Sequence, residues 1–148
     1  MNKDTNTQSF ILKGAQVDAM LAAKPMQGKN LLEPLKTLAS EHGLPFNILE
    51  DHQTTNKAEI HISFGDLWYC LEGEVTFVYG GVLVQPLVKI KKDGTQDSNE
   101  LLAEEIKGGM TVILRPGDWL WIPAGEPHQH ITQGTARLMI IKIPAIKD

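Results

Sequence analysis

Residues 116–130 read Pro-Gly-Asp-Trp-Leu-Trp-Ile-Pro-Ala-Gly-Glu-Pro-His-Gln-His, and this stretch decides the fold. The Gly-Asp pair near its start is a turn signal that launches a short strand of apolar residues. The two prolines of residues 123–127 then predict a rigid reversal, after which His128 opens the next strand. Because side chains two residues apart in a strand point to the same face, His128 and His130 are expected to share one.

A second segment, residues 59–74, reads Glu-Ile-His-Ile-Ser-Phe-Gly-Asp-Leu-Trp-Tyr-Cys-Leu-Glu-Gly-Glu. Glu59 and His61 are two residues apart and are expected to share a face of one strand. The Ser-Phe-Gly sequence that follows predicts a turn, with Asp66 beginning the next strand beside them. Two such strands can present two carboxylates and an imidazole to one point, and these donors suit first-row divalent metals.

The remainder of the chain from Pro45 onward reads as short β segments with turn residues between them. The Tyr-Gly-Gly-Val sequence at residues 79–82 is a hairpin signal, because adjacent glycines supply the positive φ that tight hairpins require. Many short strands with little helix predict an all-β antiparallel sandwich or barrel. The predicted strands cover residues 46–49, 58–62, 67–79, 82–90, 110–114, 119–122, 128–132 and 138–143.

The first part of the chain reads as a polar tail followed by helical material. Short helices are predicted over residues 17–23 and 34–42, with Gly43 placed to end the second. The polar segment 91–100 contains an Asp-Gly pair and is predicted to be a mobile surface loop. A single domain over residues 1–148 is expected, with tail and helices in 1–44 and the barrel in 45–148.

Composition excludes several classes of function. The chain has 148 residues and a formal net charge of −4, and its only arginines are Arg115 and Arg137. Nucleic-acid binding needs a basic footprint, and none is visible, so no nucleic-acid partner is expected. No apolar stretch approaches the roughly 18 residues of a membrane helix, so no membrane association is expected. The single cysteine, Cys70, is consistent with a reducing compartment, and a cytoplasmic protein is predicted.

The segment at 116–130 resembles the second motif of the cupin superfamily. That motif has a glycine, a proline, a second glycine and a histidine at fixed spacing, matched here by Gly117, Pro123, Gly125 and His128. Thr132 stands where the family usually has asparagine. The resemblance implies a double-stranded β-helix, which is a jelly-roll barrel, with a metal site inside the barrel and often a homodimer.

The segment at 59–74 resembles the first cupin motif with two changes. Glu59 stands in place of the first histidine and Asp66 in place of the usual glutamate, while His61 and Gly73 match the motif. The resemblance therefore implies that Glu59, His61, Asp66 and His128 bind one divalent transition metal, with Fe, Mn, Ni and Zn left open. Two carboxylates in place of one leave the site neutral around a divalent ion, which predicts a weaker Lewis acid.

A second arrangement stays open. His61, Asp66 and His128 alone form a two-histidine, one-carboxylate set of the kind found in non-haem iron oxygenases. Glu59 would then be a neighbouring base, and either Glu59 or His130 would move protons. His130 as a barrel-lining residue without a catalytic role is an equal alternative.

The sequence predicts a metal-dependent enzyme of dioxygenase, isomerase or lyase type, acting on a small polar molecule inside the barrel. The alternative is a non-catalytic module that binds a small ligand or a metal, since this fold hosts both.

Among other residues of interest, at least two of Trp68, Trp119 and Trp121 are expected in the core or a subunit interface. Cys70 is expected to be buried and inert.

Overall fold

The computed structural model describes residues 8–146. The first seven residues of the predicted polar tail lie outside the described residues. The helices are α1 (Gly14–Leu21) and α2 (Leu35–His42). The strands are β1 (Gly28–Leu31), β2 (Phe46–Thr55), β3 (Ala58–His61), β4 (Phe64–Glu72), β5 (Val75–Tyr79), β6 (Val82–Leu83), β7 (Leu87–Ile90), β8 (Gln96–Ala103), β9 (Ile106–Lys107), β10 (Met110–Leu114), β11 (Trp119–Ile122) and β12 (His128–Pro144).

The last strand, β12, organises the barrel. Its beginning pairs with β3 and β5, and its end pairs with β2 and β4, all antiparallel. The register along β2 shifts between Thr132 and Thr135, so the strand bends there and continues into the second half of the sheet. Two separate strands, 128–132 and 138–143, were predicted here, and that prediction was wrong. One bent strand takes part in both halves of the curled sheet, as in a jelly roll.

Further strand predictions need correction. Residues 67–79 and 82–90 were each predicted as one strand, but the first range contains β4 and β5 and the second contains β6 and β7. The predicted loop at 91–100 is a turn at Asp93-Gly94 followed by β8, which pairs with both β3 and β7. Strand β2 continues through the polar residues 50–55, where only 46–49 was predicted. The short strand β1 was not predicted, and it adds to the edge of the sheet beside β2, so the sheet begins before residue 45.

The helices match the predictions more closely. Helix α2 ends at Gly43, which adopts the left-handed conformation (φ 62°) that suits glycine at a helix C-terminus. Helix α1 begins three residues earlier than predicted, at Gly14 in place of residue 17. Both helices pack on the outside of the barrel through Met20 and Leu35, which meet Ile48 of β2. Neither helix of the described chain has the length and apolar character needed to cross a bilayer.

The barrel interior divides into an apolar part and a polar part. The apolar core contains Trp68, Phe77, Leu114, Ile122 and Leu138, each almost completely buried. The polar part contains the buried side chains of Asp51, His61, Asp66, His128 and His130, which come from β2, β3, β4 and β12. Burying ionisable groups costs free energy unless they are paired or bind a metal, so this part of the interior contains the candidate functional site.

Candidate metal centre

The backbone brings the predicted ligands together on neighbouring strands. His128, the first residue of β12, is the direct cross-strand partner of Glu59 in β3. The amide of Gly125, in the proline-rich turn, donates to the carbonyl of His61 at 2.8 Å and ties this turn to the same strand. Asp66 follows on β4, fully buried, and pairs with Ile122 of β11. The two sequence motifs therefore meet at one point.

The four side chains form a compact cluster. Nε2 of His61 lies 3.5 Å from Oε1 of Glu59 and 3.3 Å from Oδ2 of Asp66. Nε2 of His128 lies 3.5 Å from the same Glu59 oxygen and 3.4 Å from the same Asp66 oxygen. Donor atoms of Glu59, His61 and His128 all lie within 4.8 Å of one another, as a metal site requires.

Four buried atoms of the cluster have no hydrogen-bond partner among the described residues: Nδ1 and Nε2 of His61, Nε2 of His128 and Oδ2 of Asp66. Leaving such atoms unsatisfied costs roughly 1–3 kcal/mol each. Atoms bound about 2.0–2.2 Å from one ion at tetrahedral or octahedral angles lie about 3.0–3.5 Å apart, which is the spacing seen here. The residues present therefore fit a divalent transition metal.

Charged side chains surround the cluster and orient it. Nζ of Lys142 lies 2.8 Å from Oδ1 of Asp66, which leaves Oδ2 of that carboxylate directed at the two imidazoles. On the other side, Oε1 of Glu100 lies 3.0 Å from Nδ1 of His61, and Lys89 in turn contacts Glu100 at 2.7 Å. A carboxylate at Nδ1 favours the tautomer whose Nε2 lone pair is free to bind a metal.

Replacing Glu100 with glutamine is expected to weaken divalent-metal binding by about 10- to 100-fold, the usual cost of losing such a partner. The matched control is Glu104→Gln, since Glu104 is 85% exposed and pairs only with Lys57 among the described residues. Titration with Mn²⁺ or Zn²⁺ by calorimetry measures both variants. Equal affinities for the two variants would remove Glu100 from the site.

The side chains of the cluster shift one another's pKa values. Burial by itself would lower the pKa of His128, but the carboxylates of Asp66 and Glu59 outweigh it and raise the pKa to about 9. Burial likewise opposes the raised pKa of His61, which has the same two carboxylates beside it. The pKa of Glu59 lies well below its usual value, because His128 and His61 outweigh the effect of burial. In the metal-free site, bound protons therefore balance the negative charge of the carboxylates.

These shifts predict opposite pH trends for stability and for metal binding. A histidine whose pKa rises from 6.5 to about 9 on folding stabilises the metal-free protein fully below pH 6.5, and this contribution is lost as pH rises through 9. Metal binding must displace those protons, so metal affinity is expected to increase over the same range. Urea unfolding of metal-free protein and of His128→Gln, each at pH 6.5 and 9.5, checks the first trend. An equal pH dependence in both proteins would contradict it.

His130 lies apart from the four-residue cluster. Its side chain is 1% exposed, next to Trp68 and Phe77 at ring-centroid distances of 5.3 and 5.4 Å. Nδ1 of His130 makes a short contact with the carboxylate of Asp51, which also accepts from the amide of Asn56 at 3.1 Å. Because a carboxylate accepts hydrogen bonds, Nδ1 of His130 is the donor in its contact with Asp51, and Nε2 is then the basic nitrogen of the ring.

The remaining residues of interest are divided between core and surface. Cys70 is fully buried, and burial raises the pKa of its thiol to about 11, in keeping with the predicted inert role. Of the three tryptophans only Trp68 is in the core. Trp119 and Trp121 are 57% and 48% exposed on the outer face of β11, where Trp119 lies beside Tyr69.

Sequence reasoning missed Glu100, Lys142 and Asp51. Glu100 was assigned to a loop, although the apolar residues 101–103 directly after it were a usable strand signal. Lys142 and Asp51 contact partners 76 and 79 residues away in the chain. No local sequence pattern predicts such long-range contacts, because they arise from the way β2, β4 and β12 pack together.

No protein-family model matches this sequence, and no curated protein does either. Solved structures do match. The X-ray structure of E. coli ycfD aligns with a TM-score of 0.54 at 18% identity, over 80% of this chain and 34% of that one. The Drosophila melanogaster CENP-C cupin domain aligns at 0.45 and 12% identity, over 66% and 55%. Hydroquinone 1,2-dioxygenase from Sphingomonas sp. TTNP3 aligns at 0.45 and 12%, over 69% and 61%.

The aligned region spans between about a third and two thirds of the length of these structures. The likeness extends to the fold and no further at these identities. The jelly-roll topology and the alignment at a TM-score of 0.54 show that this chain has the jelly-roll β-barrel of the cupin fold, as the two motifs predicted.

Proposed function

We propose that this protein binds one divalent transition metal through Glu59, His61, Asp66 and His128 and uses it to act on a small polar molecule held in the barrel. The supporting observation is the group of buried Nε2 and Oδ2 atoms that converge without hydrogen-bond partners of their own. Ligation by Asp66 with the two histidines, leaving Glu59 as a base, is the alternative arrangement. Glu59 suits it because its side chain is 14% exposed, against 0% for Asp66.

The donor set bears on the choice of metal. Two imidazoles and two carboxylates are harder and richer in oxygen than a three-histidine set, which favours Fe, Mn, Ni or Zn over Cu(I). When bound, such an ion would polarise a carbonyl, hydroxyl or carboxylate oxygen of the substrate or activate dioxygen. High-affinity selection of copper over these ions would contradict this part of the proposal.

Proton transfer is assigned to the chain's own residues. Asp51 fixes the ring of His130 and supports Nε2 as the basic atom. Glu59 borders the cluster from the more accessible side and has a carboxylate held in its charged form. Both remain proposed bases, and the choice between them follows from the pH dependence of activity in Glu59→Gln and His130→Gln once a substrate is found.

The reaction belongs to the dioxygenase, isomerase or lyase type, and two panels separate these classes. Oxygen uptake by Fe(II)-loaded protein is measured with diketones, thiols and phenols, and conversion of keto-sugars and organic acids is followed under nitrogen. Turnover in the first panel supports a dioxygenase, and turnover only in the second supports an isomerase or lyase. Ligands that raise the melting temperature without turnover in either panel would favour the non-catalytic binding module.

The predicted assembly is a homodimer of single-domain chains. Trp119 and Trp121 give the outer face of β11 an exposed aromatic character that an interface between copies would cover. Sedimentation velocity of the wild-type protein and of Trp121→Ser tests this prediction. A monomeric wild-type protein would refute it.

A further inference from the structure

A cavity of about 250 Å³ lies beside the Asp66 side of the candidate metal centre, and Lys142 belongs to both. The residues that line this cavity include Lys29, Leu31, Asn47, Leu49, Ile140 and Lys142. A larger cavity of about 570 Å³ lies along β7 and β8, and its Lys89 contacts Glu100. None of the four candidate ligands lines either cavity, but Lys142 of the smaller one contacts a candidate ligand, Asp66, directly.

The lining residues come from one inward-facing surface of the sheet. Leu31 is the cross-strand partner of Leu49, and Asn47 is the partner of Ile140. Leu49 and Ile140 both belong to the apolar core of the barrel. Lys142, two residues beyond Ile140, is the cross-strand partner of Asp66. The cavity is thus a continuation of the barrel interior toward solvent.

Two ammonium groups border this cavity. Nζ of Lys142 lies 2.8 Å from Oδ1 of Asp66 and 4.7 Å from the ring centroid of Phe64, and its side chain is 41% exposed. One contact with Asp66 leaves donors of Lys142 for a ligand, since an ammonium has three N–H groups. Lys29 is exposed and lies close enough to Glu59 to help lower the pKa of that carboxyl.

The charge balance favours an anion here. Around a divalent ion the carboxylates of Glu59 and Asp66 leave the centre neutral, so Lys29 and Lys142 add positive charge that the centre does not cancel. The other walls are apolar, apart from Asn47, whose buried Oδ1 has no hydrogen-bond partner within residues 8–146. Typical ligand pockets hold roughly 300–1,000 Å³, so the occupant is small.

We propose that this cavity binds a small carboxylate with an apolar body, its anionic end at Lys29 and Lys142 and its body against Leu31, Leu49 and Ile140. This inference deepens the proposed function, because it names the substrate class of that centre. The lysines attract the anion that a neutral centre alone would attract weakly. Carboxylate binding at the lysines does not itself require the ion, so the two proposals can fail separately.

The test measures binding of isovalerate and benzoate by calorimetry, with isovaleramide and benzamide as neutral probes of the same shape. We expect each carboxylate to bind at least about 10-fold more tightly than its amide, with an affinity that falls as salt is raised. Lys29→Met and Lys142→Met are each expected to lower carboxylate affinity about 10-fold. Lys36→Met, an exposed lysine of α2, is the control and should change nothing.

Equal binding of acid and amide, no binding of either, or no effect of Lys29→Met would overturn the inference. Lys29→Met carries the decision, because Lys142 also contacts Asp66 and its loss disturbs the centre. The measurements are made on metal-free and Mn²⁺-loaded protein with metal content determined in each. Carboxylate binding by a protein that retains no metal would refute the metal centre and support the carboxylate pocket. Metal retention together with equal binding of acid and amide would refute the pocket and support the metal centre.

Discussion

Replacing His128 with alanine is expected to reduce divalent-metal affinity by at least about 100-fold, more than the loss of an orienting partner costs. His128 is 1% exposed, and its Nε2 lies 3.5 and 3.4 Å from the carboxylate oxygens of Glu59 and Asp66. Without this imidazole the two carboxylates and His61 remain, which is one donor fewer. Metal content of the purified protein and calorimetric titration with Mn²⁺ measure the effect.

The control for this experiment is His42→Ala, the same change in a half-buried histidine at the end of α2. Because a buried side chain is removed in His128→Ala, the variant's fold is checked by circular dichroism. Asp66→Asn adds a second variant of nearly unchanged size, and it is expected to lose metal affinity too. Full metal occupancy in folded His128→Ala and Asp66→Asn would show that these residues are not ligands.

Replacing Arg137 with methionine is expected to lower the free energy of unfolding by about 3–5 kcal/mol, the range found when one partner of a buried ion pair is removed. The guanidinium Nε of Arg137 donates to the carboxylate of Glu50 at 2.9 Å, and the two side chains are 6% and 1% exposed. Arg137 also donates to the carbonyls of Leu21 and Ala23, at the end of α1. One side chain thus joins the N-terminal helix to the barrel.

The matched control is Arg115→Met, at the chain's other arginine. Arg115 pairs with Glu74 at 3.1 Å, but both side chains are more than half exposed, so its loss should cost less than about 1 kcal/mol. In urea unfolding, the double variant Arg137→Met with Glu50→Gln is expected to be less destabilised than the sum of the single changes, since no buried charge is left alone. Equal small effects at both arginines would contradict this account.

The sequence was enough to predict the fold and to predict which four side chains of the candidate centre lie close together. Gly125 and the prolines around it predict a rigid turn before His128, and the two-residue spacing of Glu59 and His61 places both on one face of a strand. These are local features, and the strand periodicity that they use survives in the structure. The Nε2 atoms of His61 and His128 accordingly lie within 3.5 Å of carboxylate oxygens of Glu59 and Asp66.

Contacts that depend on tertiary structure were beyond sequence reasoning. Residues 50–55 read as a polar connection, yet Glu50 and Asp51 are buried because Arg137 and His130 on β12 meet them. Lys142 reaches Asp66 only because β12 runs alongside β4 at its far end. A polar stretch of sequence predicts exposed side chains. That prediction fails where polar side chains on distant strands pair with one another in the interior.

The central claim about this protein is that one divalent ion binds between the imidazoles of His61 and His128 and the carboxylates of Glu59 and Asp66. Anomalous diffraction from Mn²⁺-soaked crystals of the protein tests this directly. We expect one peak bonded to Nε2 of His61, Nε2 of His128 and Oδ2 of Asp66 at about 2.0–2.3 Å, with Glu59 either bonded or adjacent. Crystals with Mn²⁺ in the solvent and no peak at these atoms would contradict it.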